Sequence, residues 1–315
     1  MAGETLIDLI PGAGETLRDV DGFAHRPGGA PANVAVGLSR LDAAPAFWTR
    51  LGDDPFGDFL RETLVEEGVP TAAFERVDGN TTLAVVSPPG VDGRRFRFYG
   101  SGDATFGFEP ESVPAEALAS ASWVHLGGVA LTHPDGRAAM RELAAAAAER
   151  GCTVSFDVNY REDLVPDGER DAVVDAVREI VAVSDVVFAS DEDVAATGIS
   201  SREGEALGRD LLDLGPHTAV VTLGEAGAVV ASSAAAPWGE RTARHGGFAV
   251  DAVDATGAGD AFTAGLIARL SAGDADLDAA VAFANATAAL SVREEGGMTA
   301  LPSKGAVASF LAERA

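Results

Sequence analysis

Asp254-Ala255-Thr256-Gly257-Ala258-Gly259-Asp260-Ala261-Phe262 is the stretch from which the chain is best read, because an irregular segment ends in it and a helical apolar pattern begins, continuing through Leu266 and Leu270. Small residues at 257, 258 and 259 leave the backbone N–H groups of a helix start unshielded, and the macrodipole adds positive potential there, so the pattern favours an anion. No lysine takes part. Asp260 falls in the first turn, beside whatever those N–H groups hold; a carboxylate in that place is useful when a hydroxyl proton has to leave. The same residues also suit an architectural purpose, in which the glycines allow close helix–sheet packing and Asp260 complements the dipole.

Outward from this helix, apolar runs of strand length alternate with stretches of helical period along the whole chain. Strands are expected at Thr5–Ile10, Ala46–Thr49, Trp123–Leu126, Thr153–Phe156, Asp185–Phe188, Ala219–Thr222 and Ala228–Ala231. Helices are expected at Pro31–Leu41, Pro55–Glu67, Asp135–Arg150, Asp171–Ala182, Glu205–Leu214, Gly257–Ser271, Leu277–Ser291 and Lys304–Glu313. Pro31 and Pro55 stand where a first-turn N–H needs no partner, and Asp54 is placed to cap the second helix. Such alternation predicts an α/β fold with a central, mostly parallel sheet covered by helices on both faces. Two segments break the pattern: Pro11–Pro27 is polar and Gly-rich, while Thr81–Ser87 and Arg94–Tyr99 read as short alternating strands joined by Pro88-Pro89-Gly90-Val91-Asp92-Gly93. Strands without crossover helices predict a small β-lid over the open sheet. No repeat or linker divides the chain, so residues 1–315 are expected to form a single domain with lid segments at about 11–27 and 81–105 inserted in it.

Composition removes whole chemistries. The chain has 23 Lys+Arg against 49 Asp+Glu, a formal charge of −26, and such a surface repels phosphate backbones and anionic lipid, so neither nucleic acid nor membrane is an expected partner. Lys304 is the one lysine, in a context without a glycine cradle, which excludes a Walker-type phosphate loop and leaves no suitable Schiff-base residue. Cys152 stands alone, so there is no intrachain disulfide and no Cys-x-x-Cys site. Glu4 and Asp8 occupy the start of the chain, no basic leader precedes them, and no apolar run reaches spanning length; a cytoplasmic protein is expected. The acid excess with almost no lysine matches adaptation to molar salt, where the Debye length shrinks to about 3 Å and self-repulsion fades. The five histidines show no metal-ligand spacing.

Several spaced motifs in order carry a resemblance: Gly3-Glu4-Thr5-Leu6-Ile7-Asp8, Gly28-Gly29-Ala30-Pro31-Ala32-Asn33-Val34-Ala35, Gly52-Asp53-Asp54-Pro55-Phe56-Gly57, Asp157-Val158-Asn159-Tyr160-Arg161, Val221-Thr222-Leu223-Gly224, and the 254–260 stretch. Together they resemble the ribokinase-like (PfkB) carbohydrate kinases, and fructokinases most closely within them. The resemblance implies that Asp260 is the base that takes the proton of a sugar hydroxyl, and that the N–H groups of Gly257, Ala258 and Gly259 form the anion hole for the γ-phosphate. That division of labour is coherent, since a loose phosphoryl-transfer transition state asks mainly for positioning and charge stabilisation. Asp8, Gly28, Gly29 and Asn33 resemble the sugar-binding residues, carboxylate and amide groups being suited to vicinal hydroxyls. Taken alone, Asn33 also reads as a local helix-start group.

Further along, Thr222 and Gly224 resemble nucleotide contacts at a strand's C-terminal end, Gly227 a turn that lets the chain approach the nucleotide, and Asn285 the position beside adenine. ATP and Mg²⁺ are the implied cofactors, with K⁺ as a candidate activator of the loop near Gly296-Gly297. Where relatives have Asn-x-x-Glu, this chain has Ser190-Asp191-Glu192-Asp193, which makes Asp193 the candidate metal ligand with a shortened reach. Arg161, and Arg95 and Arg97 on the lid, are candidates to meet a phosphate or an acidic sugar, arginine's planar fork pairing two oxygens at once. Phe96 and Phe98 alternate with the lid arginines, either over the sugar, against a second copy's lid in a homodimer, or in the core. The activity implied is transfer of the γ-phosphate of ATP to a ketose, fructose first. An acid sugar such as 2-keto-3-deoxygluconate is the near alternative, and a non-catalytic sugar-binding regulator the alternative of another class. A dinucleotide oxidoreductase fails on the fingerprint, because Gly12-Ala13-Gly14 lacks the third glycine.

Overall fold

The protein was analysed as a computed structural model, which describes residues 1–88, 96–100 and 103–314. In chain order, β1 (Leu6–Pro11) turns into β2 (Phe23–Gly28), followed by α1 (Ala30–Arg40), β3 (Thr49–Gly52), α2 (Pro55–Glu66) and β4 (Phe74–Val77). Next come β5 (Leu83–Val86), β6 (Phe96–Tyr99), the short α3 (Asp103–Phe106) and α4 (Ala115–Ser120). The second part alternates more regularly: β7 (Trp123–Gly127), α5 (Pro134–Glu149), β8 (Thr153–Asp157), α6 (Arg170–Val183), β9 (Val186–Ser190), α7 (Asp191–Thr197), α8 (Gly204–Leu212) and β10 (Thr218–Thr222). After β11 (Ala228–Ser232) and β12 (Arg241–His245) the chain finishes in α9 (Ala258–Ser271), α10 (Leu277–Ser291) and α11 (Lys304–Ala312).

The main sheet has the order β12-β11-β10-β9-β8-β7. Strands β7 to β10 run parallel, whereas β11 runs antiparallel to β10 and β12 antiparallel to β11. Its middle strands are continuous apolar runs, as strands buried on both faces must be. Val187, Ala189, Ala219 and Val221 point into one core with α5, α6 and α8. Val186, Phe188 and Val220 point the other way, into a core with α1, α9, α10 and α11. Each Val or Phe among them taken fully out of water contributes roughly 1.5–3 kcal/mol, which fixes the register of the expected helix–sheet–helix sandwich. Small residues draw the helices close: a Cβ at Gly37 would lie 2.7 Å from that of Ala264, and one at Gly265 would lie 2.9 Å from the Ala284 Cα.

A second sheet of order β2-β1-β5-β6 stands apart from the first. Asp8 pairs with Arg26 on one side and Ala84 on the other, and Ala84 pairs with Phe98. One face of this sheet, with Leu6, Ala84, Phe96 and Phe98, packs on Phe106, Val129 and Leu164. The opposite face, with Ile7, Leu9 and Leu83, packs on Leu51 of β3 and on Leu60, Phe56 and Phe59 of α2. Ala2 bridges to both Trp48 and Leu126 and so ties the chain start to the main sheet.

The expected helices fall within a residue or two of their places, and α2 is capped as anticipated, the Asp54 carboxylate accepting the Gly57 N–H at 2.8 Å. Other expectations need correction. The strand expected at Ala46–Thr49 lies at Thr49–Gly52, because Trp48 spends its N–H on the Met1 carbonyl and the ladder to β4 begins only after it. The polar stretch Pro11–Pro27 contains β2, whose largely exposed side chains hide the strand period. Of the expected lid hairpin, residues 89–95, which include the connector and Arg95, lie outside the described residues.

Candidate active site

Because β7 to β10 are parallel, their ends at Gly127, Asp157, Ser190 and Thr222 share one edge of the sheet, the edge at which open α/β sheets take ligands. The N-termini of α1 and α9 meet there, joined by a hydrogen bond from Asn33 Nδ2 to Asp260 Oδ2 of 2.7 Å between residues 227 positions apart. Asn33 is 5% exposed and its Oδ1 is buried without a partner. Asp260 is partly buried, and loss of water pushes its carboxyl up to about 6; the Asn33 bond and the Arg161 charge oppose that rise.

The loop before α9 is strapped in place. Asp254 Oδ1 accepts from the Thr256 N–H at 3.0 Å and hydroxyl at 2.6 Å, while Oδ2 accepts from the Gly296 N–H at 3.1 Å. Gly257 caps the helix in the left-handed region at φ 74°, and a Cβ there would lie 2.8 Å from the Gly297 Cα. At Gly259 an added Cβ would meet nothing within 4 Å, so the space beside the helix start is open. The Ala258 N–H is engaged, at a long 3.3 Å, by the Ala255 carbonyl, so of the three expected donors it is the least available.

Asp8, on the face of the small sheet shared with Leu6 and Ala84, abuts Gly28: a Cβ at Gly28 would lie 2.3 Å from Asp8 Oδ2. Gly29 has φ 100° and approaches the Glu4 carbonyl, where a Cβ would lie 2.7 Å away. The glycine pair is thus what lets β2 pass Asp8 and enter α1. Arg97 does not share this face. It pairs with Val85, on the opposite face from Asp8, with a 62% exposed side chain and Asp163 at 3.9 Å. Strand alternation therefore removes Arg97 from the expected substrate set and puts Phe96 and Phe98 on the Asp8 side.

Arg161 follows β8 and donates from Nη1 to Asp193 Oδ1 at 3.0 Å and to the Tyr160 carbonyl at 3.2 Å. Asp193 Oδ2 accepts from the Ser190 hydroxyl at 2.8 Å, within the cap of α7. Two further acids, which sequence reasoning quoted inside motifs but gave no role, share the site. Burial, with Asp193 and Asp260 nearby, raises the Asp157 carboxyl well above its ordinary value. Glu4 is 1% exposed, burial pushes it up to about 7, and its Oε2 has no partner. Asn159, also buried with an unpartnered Oδ1, holds a strained φ of 30°.

On the nucleotide side, the Thr222 hydroxyl reaches the Ala189 carbonyl at 3.4 Å, and Gly224, at φ 58°, has open space where its Cβ would be. Gly227 does not: a Cβ there would lie 2.0 Å from the His245 carbonyl, so its smallness serves the turn's packing on β12 and not a ligand. Asn285 is 5% exposed and folds back on its own helix, Nδ2 donating to the Val281 carbonyl at 3.0 Å. Among the described residues no group of three His, Cys, Asp or Glu side chains is arranged to hold a metal, and the Arg161 guanidinium lies on Asp193 Oδ1 with the Ser190 hydroxyl on Oδ2, an arrangement that disfavours a cation there.

Comparison with known proteins agrees with this geometry. The pfkB family carbohydrate kinase profile matches residues 1–304. A fructokinase from Klebsiella pneumoniae is 36% identical over 96% of this chain and 95% of its own, and probable fructokinase-4 of Arabidopsis thaliana is 32% identical over 98% and 95%. Among solved structures, a fructokinase from Xylella fastidiosa with bound ATP superposes with a TM-score of 0.87 at 29% identity, covering 99% of this chain and 97% of that one. The Vibrio cholerae fructokinase with fructose, ADP and calcium bound gives 0.85 at 33% identity, with the same coverage. The fold and these relatives together define a kinase of the ribokinase-like class. The chain belongs to the pfkB family of carbohydrate kinases.

Proposed function

We propose that this carbohydrate kinase transfers the γ-phosphate of ATP to a hydroxyl of a ketose, with fructose as the first substrate. The observation that carries the reading is the Asn33–Asp260 bond at the joined starts of α1 and α9, beside the open space at Gly259. Asp260 takes the hydroxyl proton, and the amide of Asn33 orients the carboxylate from below. The N–H groups of Gly257 and Gly259 offer the transferring phosphoryl group a positive helix end. Asp8, framed by Gly28 and Gly29, holds sugar hydroxyls, and Phe96 and Phe98 cover them from the small sheet. The base need not be strong, because proton transfer is late in a loose transition state.

ATP lies along the ends of β9 and β10, over Thr222 and Gly224. Mg²⁺, when bound, neutralises phosphate charge and is held by phosphate oxygens and water, which suits a site without a protein-made metal cage. The strap between Asp254 and Gly296 is the place where K⁺ would act. The small sheet, with exposed Phe23 and Tyr99 on its edge strands, serves as the lid and as the surface of a homodimer. The whole chain works as one unit with this lid inserted, in the cytoplasm, at high salt; among the described residues no helix is long and apolar enough to cross a membrane.

The test is release of ADP from ATP and Mg²⁺ in molar KCl across fructose, 2-keto-3-deoxygluconate, ribose, glucose and adenosine, each against a blank without sugar. Turnover with fructose alone is expected. Turnover with the acid sugar instead would reassign the substrate, and sugar binding without turnover would make the protein a regulator. Asp260→Asn is expected to lower kcat by about 10²–10⁴-fold with little change in sugar KM, the loss typical of a general base.

A further inference from the structure

We propose that Asp193 is a positioning residue that fixes Arg161 beside the phosphoryl-transfer site, and not a ligand for the metal. This rests on the kinase reading above and names one of its working parts. The carboxylate of Asp193 is held at both ends: Oδ1 accepts from Arg161 Nη1 at 3.0 Å and Oδ2 from the Ser190 hydroxyl at 2.8 Å, while its own N–H donates to Ser190 Oγ at 3.1 Å. Its side chain is 16% exposed. A cation added to Oδ1 would stand next to the guanidinium, where the two positive charges would repel, and one added to Oδ2 would crowd the Ser190 hydroxyl.

Arg161 is bound on one edge only. Both of its hydrogen bonds among the described residues run from Nη1, so the Nε–Nη2 edge, the pair of parallel donors that suits two oxygens of one phosphoryl group, keeps its capacity for a ligand. The side chain is 45% exposed, and its charge is felt by Asp260, Asp157 and Glu4, so it lies near all three acids. Without a fixed partner a half-exposed arginine would sample many rotamers, or fold onto whichever of those acids was ionised. The Ser190–Asp193–Arg161 relay removes that freedom before ATP arrives, as preorganisation requires. The aspartate's length matters. The cap of α7 sets the Asp193 backbone, and one carboxylate then serves the serine and the arginine at once.

The experiment compares the wild type with Asp193→Asn, Arg161→Ala, Arg161→Lys and the double variant Asp193→Asn/Arg161→Ala, measuring kcat, both KM values and the Mg²⁺ concentration for half-maximal rate. Each single change is expected to lower kcat about tenfold or more with Mg²⁺ half-saturation within about twofold of wild type, and the double variant to fall no more than about threefold below Arg161→Ala. Added guanidinium at millimolar levels is expected to restore part of the rate of Arg161→Ala and none of that of the double variant. Arg161→Lys keeps the charge without the fork, and is expected to behave as Arg161→Ala. Multiplicative losses in the double variant, rescue that ignores Asp193, or a Mg²⁺ requirement raised about tenfold by Asp193→Asn alone would each overturn the proposal. Far-UV circular dichroism and the thermal midpoint report whether α7 has survived. Absence of turnover in the wild type with every sugar is a different result: it removes the kinase reading, and this proposal falls with it.

Discussion

At the scale of single residues, the site is a set of acids whose charges depend on one another. Asp260 must be ionised to act as base, and its carboxyl is raised to about 6, so kcat/KM is expected to fall as pH drops through that value. The neighbours give this limb a sign that can be checked. The Asn33 amide favours the charged form, so Asn33→Ala should move the limb to higher pH. Glu4 stays protonated until pH nears about 7, so it is neutral while Asp260 titrates, and Glu4→Gln should leave the limb in place while keeping its shape in the core. Full pH profiles of kcat/KM for the two variants against the wild type decide the matter; a limb that moved with Glu4→Gln and not with Asn33→Ala would mean that Asp260 is not the titrating base. Glu4 is also the clearest case of a buried acid beside the candidate site that the sequence did not announce. It reads as one more acid in a chain full of them, and only burial of its Oε2 without a partner distinguishes it.

At the scale of elements, the start of α9 separates two uses of glycine. Gly257→Ala places a Cβ at a left-handed residue, costing about 1–2 kcal/mol in backbone strain, and drives it to 2.8 Å from the Gly297 Cα; the thermal midpoint should fall. Gly259→Ala meets nothing within 4 Å, so the midpoint should hold while kcat drops, the methyl entering the space proposed for phosphate. A variant at 259 that kept full activity would deny that space its role. This helix was legible in the sequence because local chemistry alone determines it: small residues, an acid in the first turn, then apolar period. The main sheet was legible for a similar reason, its strands being continuous Val and Ala runs. Strands β2 and β12 were not, since their residues are polar or exposed and only pairing with a neighbour makes them strands. The face on which Arg97 stands depends on register across β5 and β6, and the backbone that fills the space at Gly227 comes from β12. Neither contact leaves a trace in local sequence.

At the scale of the whole molecule, the charge of −26 is the dominant fact. Arginines are largely spent in ion pairs such as Arg40 with Glu67, Arg76 with Asp53 and Asp58, and Arg137 with Glu169, and each exposed pair contributes little. The surplus carboxylates face water and repel one another, so the thermal midpoint is expected to climb between roughly 0.1 and 2 M KCl, as the Debye length falls from about 10 Å to under 3 Å. A midpoint indifferent to KCl would make this an ordinary acidic enzyme. The strap that holds Gly257 on Gly297 and Asp254 on Gly296 also has a meaning in time. Asp8 and Asn33 leave the ribosome early, but the loop that seats the base has no floor until Gly297 has emerged as well. A nascent chain of this protein therefore lacks the floor under Gly257 until residue 297 has emerged, and is not expected to turn over sugar although most of its sheet is already made.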